Sequence, residues 1–129
     1  MDPARAGTAI VLVNLLINIV HGAAHLALHI DLSAAEKLFV AVVILAGPLL
    51  AMALLWTPWQ RLGFGLLALT MAGSLAFGLY HHFMAMGPDH VGAQVAGVWG
   101  TTFVITACLL FLAEAAGTCL GVRYLYRAR

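Results

Sequence analysis

The sequence predicts an all-α integral membrane protein: an antiparallel four-helix transmembrane bundle with both termini cytoplasmic. Three observations carry this expectation. Hydrophobic residues make up 64% of the chain and charged residues 9%, against roughly 45–50% and about 25% in soluble domains. The formal charges leave four long tracts free, 6–30, 38–60, 62–88 and 90–113. The arginines gather on one side of the resulting topology. Each tract suits one spanning helix, which needs about 20 apolar residues, and none is long enough for two. The 129 residues form one domain, 1–129, with spans near 8–30, 34–56, 58–84 and 96–120.

The first tract is too long for the apolar region of a secretory leader, and His21, His25 and His29 stand where small residues would mark a cleavage site. It is read as a span of the mature chain. Ser33-Ala34-Ala35-Glu36 fits a capping box and starts the second span. Gly47-Pro48 lies inside that span and predicts a kink. Thr57-Pro58-Trp59-Gln60 places Pro at the first helical position and starts the third span near residue 58. Gly87-Pro88-Asp89 breaks the chain before the fourth. Short connections make sequence neighbours antiparallel.

An even number of spans puts Arg5, Arg61, Arg123, Arg127 and Arg129 on one side, against Lys37 on the other. By the positive-inside rule the arginine side is cytoplasmic. The expected location is a plasma membrane of bacterial type, an inner membrane. The lipid bilayer is the first partner. With six Lys/Arg, five Asp/Glu and no basic tract, nucleic acid is excluded as another. Cys108 and Cys119 lie about 16 Å apart along one helix and do not bridge within it.

Asn14, Asn18, His21, His25 and His29 recur at steps of four, three, four and four, the spacing of one helical face. Polar groups are costly against hydrocarbon, so this stripe is expected to face the bundle interior. All six histidines fall toward the non-cytoplasmic side: three on the first span, His81 and His82 at the end of the third, His90 in the following loop. Imidazoles four residues apart on a helix present two nitrogens to one point, as zinc-binding helices do. The metal-ligand candidates are His21, His25, His29, Glu36, His81 and His82. One ion takes His25 and a neighbour, completed by His81 or His82, with Glu36 as oxygen ligand or as an acceptor fixing an imidazole. Nitrogen with carboxylate suits zinc, iron or copper.

Three functions are compatible with this set. The first is transition-metal binding, for redox chemistry or metal handling, with a metal-dependent membrane oxidoreductase as its enzymatic form. The second is a b-type cytochrome, with His25 and His81 as axial haem ligands and a quinone as redox partner. The third is a non-catalytic small subunit or assembly factor, docked into a homo-oligomer or a larger membrane complex. Asn14, Asn18, Ser74, Thr102, Thr106 and Glu114 extend polar character through the membrane as a candidate proton or ion path, with Asn14 and Glu114 expected at one depth. His21-x-x-x-His25 resembles one element of the histidine clusters of membrane di-iron oxygenases and desaturases. That likeness covers a handful of residues, and His81-His82 lacks the leading histidine of the second element. It implies oxidation of a lipid or quinone substrate. No phosphate-cradling loop and no Gly-x-Ser-x-Gly elbow occurs.

Overall fold

The computed structural model describes residues 2–127. Within them the chain forms four long helices: α1 (Pro3–Ala27), α2 (Ala34–Leu54), α3 (Gln60–Met84) and α4 (Val98–Arg127). All four are long and apolar enough to cross a membrane, and the chain is an integral membrane protein. Arg129, counted in the charge asymmetry, lies outside the described residues.

The helix ends differ from the expected ones for local reasons. Helix α1 begins five residues earlier than expected because the Asp2 carboxylate accepts from the Ala4 N–H at 3.0 Å, with Pro3 at the first helical position. It stops at Ala27 because His29 adopts a left-handed conformation, φ 54°. The His29 N–H then donates to Leu26 O and the Ile30 N–H to His25 O, the paired bonds of a Schellman ending. At α2 the capping box forms, with Glu36 N–H on Ser33 Oγ and Ser33 N–H on Glu36 Oε2. Thr57 donates to Leu54 O and accepts from Trp59 N–H. This tight turn delays α3 to residue 60. Helix α4 runs to Arg127, well past the expected 120.

Two stretches widen from α to π geometry. Val40–Ala46 in α2 runs directly into Gly47-Pro48. Pro48 has no N–H to give and its ring crowds the preceding turn, so the ladder re-forms one residue wider. Gly47 N–H accordingly reaches Val42 O. The second stretch, Tyr80–Met84, ends α3, and Ala85 N–H closes it on Tyr80 O.

Helix α4 packs along α1 and α3, and α3 also packs along α2, whereas α1 meets α2 chiefly through Gly47–Leu54. The core lies at the end of the bundle that holds the start of α1, with Val11, Ala51, Leu55, Phe64, Leu67 and Met71 all buried. There the Trp56 indole donates to Thr8 at 2.9 Å and the Phe64 ring meets Tyr124. Small residues permit this packing. A Cβ on Gly121 would fall 2.7 Å from the Ala68 backbone nitrogen, so α3 and α4 touch backbone to backbone. At the opposite end Ala34–Ala46 of α2 stands off α1. All the histidines lie at that end.

Candidate metal centre

Helix α1 presents His21 and His25 one turn apart, and α3 brings His82 against them. The ring centroids are 4.8 Å apart for His21 and His25, 4.9 Å for His21 and His82, and 6.0 Å for His25 and His82. One nitrogen from each lies within 4.8 Å of the others. The three histidines thus form a cluster on two apolar helices that is able to coordinate a metal ion. Phe103 of α4 is fully buried and touches all three rings, giving the cluster a dry wall.

The hydrogen bonds fix which nitrogens are free. The Thr106 hydroxyl donates its single proton to its own helix, at Thr102 O, 2.7 Å. Toward His21 Nδ1, 2.8 Å away, it therefore accepts. Nδ1 carries the imidazole proton and Nε2 presents a lone pair. His25 Nε2 stands 3.2 Å from that Nε2 and donates to it; to ligate an ion through Nε2, His25 carries its proton on Nδ1 instead, which has no other partner. His82 Nδ1 donates to the Asp89 backbone carbonyl at 3.0 Å, which leaves its own Nε2 as a lone pair. Acceptors that hold the far nitrogen of a ligating imidazole are a regular part of metal sites.

A carboxylate lies beside the group. Asp89 Oδ1 lies 3.1 Å from His25 Nε2 and 3.3 Å from His82 Nδ1. Neither Asp89 oxygen, both buried, accepts a well-directed hydrogen bond, and His25 Nδ1 is likewise without a partner. Burial on its own raises the Asp89 carboxyl. The imidazoles of His25 and His82 beside it outweigh that and hold it well below the usual carboxylate range. Donor atoms about 2.0–2.1 Å from a tetrahedral ion stand ~3.3 Å apart, close to the spacings of His25 with His21 and with Asp89. The connection after α3 aims Asp89. His90 N–H bonds Gly87 O, and the Gln94 side chain donates to both Pro88 O and His90 O.

The other expected site residues lie elsewhere. His29 closes α1. His81 points away from the cluster toward α2, its Nδ1 3.6 Å from Glu36 Oε1 and its ring against Phe77. The π turn at Tyr80–Met84 sets this division, sending His82 inward and His81 to the α2 side. The haem pair His25 and His81 is accordingly not brought together. At the position facing His25 stand His82 and Asp89. Of the expected polar path, Ser74, Thr102 and Thr106 each donate to a carbonyl of their own helix, as does Thr70 beside them. Asn18 donates to Asn14 O, and Asn14 Oδ1 is buried without a partner. Asp89 and Phe103 were not among the expected site residues. An acid directly after Gly-Pro on the histidine side was the available signal for Asp89. Nothing in the sequence set Phe103 apart from the other apolar residues of α4.

A cavity of about 350 Å³ adjoins the cluster, and His21, His25, His82 and Asp89 line it together with Asn18, Ser74 and Glu114. Apolar side chains from all four helices supply most of the rest of its wall, with Asp31 and Lys37 also lining it.

No family model, no curated protein and no solved structure matches the chain. The site geometry therefore carries the functional argument.

Proposed function

We propose that this protein is a membrane metalloprotein that binds one transition-metal ion through His21, His25, His82 and Asp89. The observation that carries the proposal is the convergence of one nitrogen each from His21, His25 and His82 within 4.8 Å of one another, with Asp89 Oδ1 3.1 Å from His25 Nε2 at the edge of that group. A set of three nitrogens and one oxygen suits zinc, iron or copper over calcium or magnesium. The charge asymmetry supports cytoplasmic termini, an inner-membrane location and a metal centre on the non-cytoplasmic side. Metal-dependent chemistry, of the oxidoreductase kind, is favoured over metal handling by the adjoining cavity. A site that merely stored or passed an ion needs no apolar chamber beside it, whereas a reacting substrate does.

The test is elemental analysis of protein purified without chelator, with single Ala variants at His21, His25 and His82 and with His81→Ala as control. The expected result is about one ion per chain in the parent and in His81→Ala, and loss of the ion in the three cluster variants. Equal metal content in all five proteins overturns the proposal.

A further inference from the structure

Glu114 sits in the middle of α4 and is 4% exposed. Its carboxyl lines the cavity, and among the described residues no hydrogen bond reaches it. The nearby polar groups do not answer it. Ser74 has given its proton to Thr70 O, and the Asn18 amide is turned to Asn14 O. A carboxyl with no protein partner is costly inside a membrane, and this one opens onto the cavity. Gly78 keeps the carboxyl within reach. A Cβ there would lie 3.8 Å from Glu114 Oε2 and 3.7 Å from His82 Cδ2, so the absent side chain leaves room between the carboxyl and the cluster. The walls are apolar, among them Leu26, Ile44, Leu75 and Phe111. The volume falls at the small end of the range for ligand sites, ~300–1,000 Å³. The cavity is lined by both α1 and α2 where those helices stand apart, and Asp31 and Lys37 line it at the loop end.

We propose that this cavity binds a lipid-soluble molecule carrying a hydroxyl, which donates to the Glu114 carboxyl while the apolar body leaves between α1 and α2. The inference names a ligand class for the chamber beside the proposed metal centre. It deepens that reading, yet the grip on Glu114 does not require the ion, so the two fail separately. A phenolic headgroup and an aliphatic alcohol share the required chemistry.

The test uses the full chain in detergent, with metal content measured on every sample. Binding of decyl benzoquinol, of its dimethyl ether and of dodecanol is followed by native mass spectrometry and by the shift in thermal midpoint. The quinol or dodecanol is expected to bind, and the dimethyl ether, equal in shape but without a donor, to bind about tenfold or more weakly than the quinol. Preference for the quinol assigns a phenolic ligand, and preference for dodecanol an aliphatic one. Glu114→Leu is expected to weaken binding by a similar factor with unchanged metal content, and Gly78→Leu to abolish it. The ether comparison needs no substitution, so it stands if a variant fails to fold. Equal binding of quinol and ether, undiminished binding to Glu114→Leu, or no binding of either hydroxyl compound overturns the proposal. Metal-free parent protein that still discriminates quinol from ether upholds this inference while the metal proposal falls.

Discussion

The two ends of the bundle solve opposite problems with the same four helices. At the end holding Trp56 and Phe64, glycines bring backbones together and the interior is mainly apolar. At the other end the polar residues His21, His82, Thr106 and Glu114 are buried, a cavity remains, and α1 and α2 part. Lipid supplies no hydrophobic drive for helix association, so close packing must do that work. Concentrating it at one end leaves the other free to carry groups that add nothing to cohesion. Stability and chemistry are thereby separable, and substitutions at the two ends should move different observables.

The largest effect is expected from Gly121→Leu. Its side chain would strike the Ala68 backbone, which cannot yield. Overpacking of this kind costs about 1–3 kcal/mol or more. Thermal unfolding in detergent should show a strongly lowered midpoint or no folded protein, and a midpoint equal to the parent's would break the division. His82→Ala should do the reverse. Metal affinity is expected to fall by more than the ~10–100-fold that loss of an outer partner costs. The metal-free protein should lose no more than about 1 kcal/mol, the worth of one hydrogen bond. Thr106→Val sharpens the comparison, because it keeps the shape and removes the acceptor that sets the His21 proton. A drop of ~10–100-fold in metal affinity is expected, read by competition with a chelator. An unchanged affinity would mean that the His21–Thr106 bond serves packing alone.

Acid should release the ion, since protons compete for ligand nitrogens. Affinity is expected to fall as pH falls. Asp89 behaves differently. Its carboxyl is held low, so its contribution is complete above the usual carboxylate range and fades only in stronger acid as pH falls through its folded value. A titration of metal release from pH 8 to pH 4 (a window set by these ranges) checks this. Metal content that does not change across this window would count against imidazole ligands. The smallest effect is expected from His29→Gly, which places the residue best suited to φ 54° at the end of α1. A gain of about 0.5–1 kcal/mol with unaltered metal content would separate His29 from the cluster.

The four spans were legible because charge-free tracts and capping residues are local properties. His21 and His25 were legible for the same reason, since i, i+4 spacing survives any rotation of the helix. His82 was not separable from His81. Adjacent residues on an α-helix differ by about 100°, and a widened turn, which redistributes them, leaves no mark as plain as a proline. Asp89 depends on how a loop folds back, and its approach to His25 is set by bonds from Gln94 and His90 that no periodicity encodes. Glu114 stood out as an acid within a span, but the empty space beside it arises from helices that fail to meet. Such a gap has no local signature.

That gap makes the bilayer a component of the site. Where α1 and α2 diverge, acyl chains rather than side chains must complete the enclosure. The thickness and order of the surrounding lipid then regulate how dry the chamber is and how readily it fills. Extracting the protein into micelles exchanges one wall for another, so ligand binding in the proposed chamber should track lipid composition even with every residue intact.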